Sequence, residues 1–184
     1  MGEHQAEKPA AMPWRVPVAV EDVPEGGEHF KLMADADARA AVARLAGLRD
    51  LPRLEANFEV RRHGVGGLHV AGLVSATVGQ TCVVTLEPLV NEVAEEVDLL
   101  FVPRSAVESA DAQADTADAN VDEAEPLVGG SIDLGALATE FLILGLNPYP
   151  RKLGAVFAPP QDAAARDDGP FAPLTALKKE QDRH

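Results

Sequence analysis

The chain has 184 residues, 46% of them apolar and only 4% aromatic, so one domain whose core is built from Leu, Val and Ala is expected. No apolar run approaches the roughly 20 residues that span a bilayer, and the polar start lacks a secretory h-region, which points to the cytoplasm. The formal charge is −14 and there is one cysteine, Cys82, which excludes an intrachain disulfide, a multi-cysteine metal site and a uniformly basic nucleic-acid binder.

Residues 1–13 read as a flexible leader. Trp14 to Val20 is a short extended piece, and Pro17 restricts it to an edge. Val23-Pro24-Glu25-Gly26-Gly27 is a turn. Asp35 to Leu48 reads as a helix capped by Asp35 or Asp37, with Ala38, Ala41, Val42, Leu45 and Leu48 on one apolar face. Leu54 to Arg62 alternates, with Leu54, Ala56, Phe58 and Val60 to one side. After a turn at His63-Gly64-Val65-Gly66-Gly67, the run from Leu68 to Val78 alternates again, so the two form a hairpin.

Thr81 to Leu86 is rich in β-branched residues and reads as a third strand. Asn91 to Val102 fits helix and strand about equally, and its extended apolar end, Phe101-Val102-Pro103, favours strand. Residues 104–130 form an acidic stretch with little apolar bulk, expected to be a mobile loop because burial cannot offset its ordering entropy. Glu108, Asp111, Asp115, Asp118, Asp122, Glu123 and Glu125 supply half of the net charge. Ser131-Ile132-Asp133 opens a second helix with Leu134, Leu137, Ala138, Phe141 and Leu144 on one face, ended by Gly145 and Asn147-Pro148. Tyr149-Pro150-Arg151-Lys152 is an extended strip, and 159–184 is a flexible tail with a short helical piece at Leu174 to Glu180. Clustered strands flanked by helices make the class α+β, an antiparallel sheet core with an N-terminal and a C-terminal helix packed on it, in a single domain over 14–158.

Chemistry-bearing patterns are sparse. Gly64-Val65-Gly66-Gly67 lacks the Lys-Ser/Thr and the helix of a phosphate loop and reads as a turn. His4, His29, His63, His69 and His184 show no metal-ligand spacing. Glu95-Glu96 and Asp122-Glu123 have no context that would shift one carboxylate for acid–base work, and the acidic stretch lacks the fixed spacing of a calcium loop. No metal, cofactor or catalytic residue is assigned. Cys82, among valines, reads as a small buried hydrophobe rather than a nucleophile, which would require a lowered pKa and a positioned His. Arg44, Arg49, Arg53, Arg61, Arg62, Arg151 and Lys152, with His63, come from three segments. They either converge into a local positive patch or disperse and pair with Glu55, Glu59 and their neighbours.

Val70-Ala71-Gly72-Leu73-Val74-Ser75-Ala76-Thr77-Val78, followed by Gln80-Thr81-Cys82-Val83-Val84-Thr85-Leu86-Glu87-Pro88, resembles the central motif of the YceD family, the large ribosomal RNA subunit accumulation proteins. Ile132-Asp133-Leu134, Glu140-Phe141-Leu142 and Leu146-Asn147-Pro148-Tyr149-Pro150-Arg151 are similar to that family's C-terminal helix and its exit. Trp14-Arg15-Val16-Pro17-Val18 is similar to the opening of alphaproteobacterial members. Many members carry a second cysteine three positions after the first; here that position is Thr85, so neither metal binding nor disulfide cycling by such a pair is open to this chain.

The resemblance implies a non-enzymatic ribosome-biogenesis factor. Its expected partners are 23S rRNA or its precursor, a basic large-subunit ribosomal protein, or both, with no DNA and no membrane. An acidic adaptor for a ribosomal protein is the alternative, and a Cys82-dependent enzyme a lesser one. The motif positions Gly72, Gln80, Cys82, Thr85, Leu86, Glu87, Pro88, Asn147, Pro148, Tyr149 and Pro150 are expected to be mainly structural.

Overall fold

The alternation of Leu54, Ala56, Phe58 and Val60 is realised in β3 (Asp50–His63), where all four side chains are buried. Val70, Val74, Ala76 and Val78 do the same in β4 (Gly67–Thr81), joined to β3 by the turn at residues 64–66. In this computed structural model, which describes residues 12–103, 124–127 and 129–157, the ambiguous segment after residue 88 is strand β5 (Pro88–Pro103), paired antiparallel with β4 along nearly its whole length. Val93 and Val97 point inward from β5 while Glu92, Glu96 and Asp98 face solvent. An apolar inner row opposed by an acidic outer row is what a sheet covered on one face requires.

Before these strands come β1 (Pro17–Ala19), a 3₁₀ turn (Val20–Asp22), β2 (Glu28–Met33) and α1 (Ala36–Leu45). After them come β6 (Glu125–Leu127), β7 (Ser131–Asp133) and α2 (Leu134–Leu144). The main sheet has the order β2-β3-β4-β5-β6, antiparallel except for the parallel β5–β6 pair, and β1 pairs with β7 in a separate two-stranded sheet. The class is therefore α+β with a mixed, mostly antiparallel sheet. α1 contacts β3, and α2 contacts β4 and β5. Val42, Leu134, Leu137, Ala138 and Leu142 from the helices share one core with Leu54, Phe58, Val70 and Val97 from the strands. Each such large aliphatic or aromatic side chain contributes about 1.5–3 kcal/mol by leaving water.

Several expectations are corrected. Asp35 does cap α1, its carboxylate accepting from the Ala38 amide at 2.8 Å, but the helix ends at Leu45 rather than Leu48. Its buried arc centres on Val42 and Ala43, and Leu45, two residues beyond Ala43 and so about 200° round the helix, is 52% exposed. For the same reason Leu144, two residues beyond buried Leu142, is 76% exposed on α2 rather than part of its apolar face. β2 was not anticipated; Phe30 and Leu32 tuck against the core while His29, Lys31 and Met33 face out. Part of the stretch 104–130 read as a mobile loop is ordered pairing instead, since Glu125–Leu127 is strand β6 with Leu127 buried; Ser131–Asp133, expected to open the second helix, is strand β7, and the helix starts at Leu134. Residues 1–11 of the expected leader, the acidic segment 104–123 and the expected tail 159–184, with its helical piece at Leu174 to Glu180, lie outside the described residues.

Candidate functional site

The expected strand over Thr81 to Leu86 does not form. β4 stops at Thr81, β5 starts at Pro88, and Cys82 to Glu87 is the loop between them. The Cys82 amide donates to the Glu87 carbonyl and the Leu86 amide to the Cys82 carbonyl, both at 2.9 Å, which closes a tight loop in place of a ladder. Leu86 takes φ 59°, the left-handed region that costs a side-chain-bearing residue about 1–2 kcal/mol. Val, Val and Thr here serve the loop, because the backbone donors of this segment turn inward to sulfur and to the strip that follows α2.

That strip completes the site. The Val83 amide donates to the Pro150 carbonyl at 2.9 Å. The amides of Thr85 and Lys152 donate to the Cys82 sulfur at 3.4 and 3.3 Å, and Lys152 Nζ meets Glu87 at 3.0 Å. Gln80 Nε2 donates to the Asn147 carbonyl at 3.0 Å and Gln80 Oε1 accepts from Asn91 Nδ2 at 2.8 Å, while Asn147 Oδ1 accepts from the Tyr149 amide. Residues 80–91 and 147–152 thus form one hydrogen-bonded knot. Leu86 and Tyr149 stand out of it, exposed. Gly72 sits apart in mid-β4, where it makes room for Phe58.

Cys82 is buried, as the sequence implied, but as the hub of a loop and not as part of a core strand. The Thr85 hydroxyl, then the amides of Lys152, Thr85 and Val84, draw its thiol from an ordinary 9.0 to about 6, against the opposing effect of burial. Glu87 is held below the usual carboxylate range by hydrogen bonds from Lys152 and Thr85 and by the Lys152 charge. A pH titration of thiolate absorbance is unambiguous in a chain with one cysteine. We expect a midpoint near 6 in the folded protein and near 9.0 in denaturant; a folded midpoint above 8 would show that the Sγ contacts are not made. The sign for stability follows. Folding lowers this pKa, so its contribution is fully present above the unfolded value and fades as pH falls toward 6.

The candidate cations do not converge into one patch. Arg53 bridges Thr77, Ser75 and Glu92 across the open face of the sheet and lies 3.6 Å from Glu55. Arg61 pairs with Glu59 on that same face. Arg62 donates to the backbone carbonyls of Val23 and Glu21, fastening the 3₁₀ turn to β3. Lys152 is paired with Glu87. Arg44 and Arg49 instead line a groove of about 420 Å³ between α1 and the start of β3, together with Arg39, which sequence reasoning passed over. Arg49 also lines a second groove of about 330 Å³ with Gln80, Val83, Asn147, Pro148 and Pro150, which links the arginine groove to the Cys82 knot. His69 sits 2.6 Å from Asp98 on the open face. Among the described residues no three His, Cys, Asp or Glu are placed to share a metal ion, and no helix is long and apolar enough to cross a membrane.

A family model described as large ribosomal RNA subunit accumulation protein YceD matches residues 70–180, well over half of the chain. The chain belongs to the YceD family. The matched span takes in the Cys82 loop, β5, α2 and the strip that locks the loop, so the knot is built wholly from family residues. It begins at Val70, which leaves Arg39, Arg44, Arg49, Arg53, Arg61 and Arg62 outside the YceD match. No curated protein and no solved structure matches the chain.

Proposed function

We propose that the chain is a non-enzymatic ribosome-biogenesis factor that supports accumulation of the large-subunit 23S rRNA in the cytoplasm. The observation that carries this is the YceD match over residues 70–180. On this reading, residues 14–158 act as one domain, and Gln80, Cys82, Thr85, Glu87, Asn147 and Pro150 keep the knot in shape rather than perform chemistry. The partners are 23S rRNA or its precursor, contacted through the groove arginines Arg39, Arg44 and Arg49, and a basic large-subunit ribosomal protein.

One observation favours a second reading. The open face of the main sheet carries Glu55, Glu59, Glu92, Glu96 and Asp98 against Lys31, Arg53 and Arg61, and the whole chain is at −14. An acidic surface attracts a basic protein and opposes the approach of RNA from a distance. An adaptor that holds a basic ribosomal protein without touching RNA fits that surface.

Depleting the protein and measuring 23S against 16S rRNA tests the function itself: the ratio is expected to fall, and an unchanged ratio sinks the reading. Affinity purification at low salt, with and without ribonuclease, separates its two versions. Retention of ribosomal RNA that ribonuclease abolishes supports RNA contact. A ribosomal protein retained after ribonuclease supports the adaptor. Cys82→Ser is expected to leave the rRNA ratio unchanged, and a collapse of that ratio with the fold intact would instead implicate thiol chemistry.

A further inference from the structure

We propose that the groove between α1 and the start of β3 is a phosphate-backbone site for RNA, formed by Arg39, Arg44 and Arg49. The inference rests on the RNA-contact version of the function above and gives it a location that the family match does not cover.

Charge accounting singles out this groove. Among the described residues, Arg15, Arg53, Arg61 and Lys152 are each paired with a carboxylate. The cations with no carboxylate partner among the described residues are Lys31, Arg39, Arg44, Arg49, Arg62 and Arg151. Of these, Arg62 is occupied by two backbone carbonyls, and three of the other five line one groove. Among the described residues Asp50 is the one acid lining it, so these residues make the groove locally positive on an acidic molecule. Arg39 is fixed by its bond to the Ala34 carbonyl at 2.6 Å, and Arg44 reaches back to the Ala40 carbonyl at 3.3 Å. Arg49 makes no recorded side-chain bond among the described residues, and its amide is anchored to the Gly79 carbonyl at 2.8 Å. Each guanidinium keeps donors to spare, in the fork geometry that suits phosphate.

The floor of the groove indicates how such a ligand would be read. It is made of Ala36, Ala40, Ala43, Leu48, Leu51 and Pro52. An apolar floor under a cationic rim suits the sugar–phosphate backbone. Among the described residues no aromatic side chain lines it, so they offer no stacking platform for bases. Contacts to phosphate position a strand without reading its sequence. Arg49 borders the neighbouring groove at Asn147–Pro150 as well, so one guanidinium is shared by the two grooves.

The test is fluorescence anisotropy of labelled single-stranded oligouridine and oligoadenine with the full-length chain, over a range of salt. Arg44→Gln/Arg49→Gln is compared with Arg53→Gln/Arg61→Gln, which removes the same charge from the open face. The first pair is expected to weaken binding by about tenfold at low salt and to reduce the salt slope by about one to two, as loss of two phosphate contacts requires. The second pair is expected to stay within about twofold, and the two RNAs within a few-fold of each other, because only backbone is read. Arg44→Lys/Arg49→Lys, with thermal unfolding as a check on folding, should retain most of the affinity. Equal losses from the two Gln pairs, wild-type binding by Arg44→Gln/Arg49→Gln, or displacement of RNA by oligoglutamate at matched charge would overturn the assignment, the last by showing an acidic-peptide site. Failure here and failure of the function are distinguishable. A wild-type chain that binds no RNA at low salt while its depletion still lowers 23S rRNA removes the groove and leaves the adaptor. Groove-dependent binding with an unchanged rRNA ratio removes the function and leaves the site.

Discussion

Gly72→Val is expected to destabilise the fold by about 3 kcal/mol, at the upper end of what overpacking a core costs. Gly72 pairs with Phe58 across β3 and β4, and the Phe58 ring lies over it. A Cβ built at Gly72 would stand 2.0 Å from the Asn57 carbonyl oxygen and 2.9 Å from both Cα and Cδ1 of Phe58. The backbone there is an ordinary strand, so what glycine supplies is space rather than an unusual conformation. The ring can rotate away, but the Asn57 carbonyl belongs to the β3–β4 pairing and moves only by loosening its register. That register also sets where β3 begins, and with it Leu51 and Pro52 in the arginine groove. Urea unfolding should show a lower midpoint with an unchanged slope, and Gly72→Ala a smaller shift in the same direction. A shift below about 0.5 kcal/mol for the valine variant would mean that this contact is not present.

The sheet was readable from sequence because its period is local. Residues two apart in Leu54–Val60 and Val70–Val78 announce their shared face without knowledge of any partner. β2 carried the same signal, Phe30 and Leu32 against His29, Lys31 and Met33, but in a short run between a turn and a helix cap. The Cys82 loop was misread because β-branched composition favours a strand, and nothing local records that the Lys152 amide, 70 residues away, will donate to the Cys82 sulfur. The left-handed backbone at Leu86 has no sequence mark, since glycine is the usual occupant of such a position. The arginines show the same limit. Arg53 meets the Glu92 carboxylate across 39 residues and Arg62 the Glu21 backbone carbonyl across 41, so which cations are neutralised and which are only held by backbone is a property of the tertiary register. Arg39 lies off the apolar face of α1 and carries no motif of its own. Standing off that face is what brings it to the groove beside Arg44 and Arg49.

Asp133→Ala is expected to cost about 2 kcal/mol, of which the helix cap accounts for about 1 and the stranded Val16 amide for most of the rest. Asp133 Oδ1 accepts from the Val16 amide at 2.7 Å and from the Gly135 and Ala136 amides at 3.1 Å, while Oδ2 meets Arg15 Nε at 3.0 Å. One carboxylate therefore caps α2 and ties the segment before β1 to it. Arg15 is largely exposed, so its ion pair adds little to the total. Burial pushes this carboxyl up, but the Val16 and Ala136 amides and the Arg15 guanidinium outweigh it and leave it below the ordinary 3.8. With the folded pKa depressed, the carboxylate stabilises fully above about 3.8 and loses its effect as pH falls through the lower folded value. The gap in urea midpoint between wild type and Asp133→Ala should accordingly be widest at neutral pH and shrink in strong acid. A gap that does not vary with pH would assign the loss to packing. The Cys82 titration then says how far the damage spreads. α2 leads into the strip that locks the Cys82 loop, but that strip is also held by Val83 on Pro150 and by Glu87 on Lys152. Asp133→Ala below its unfolding transition should thus keep a thiol midpoint near 6, with the lesion confined to β1, β7 and the first turn of α2. A midpoint that rises toward 9.0 would instead show that the knot depends on the α2 cap, and that both ends of the helix are one cooperative unit.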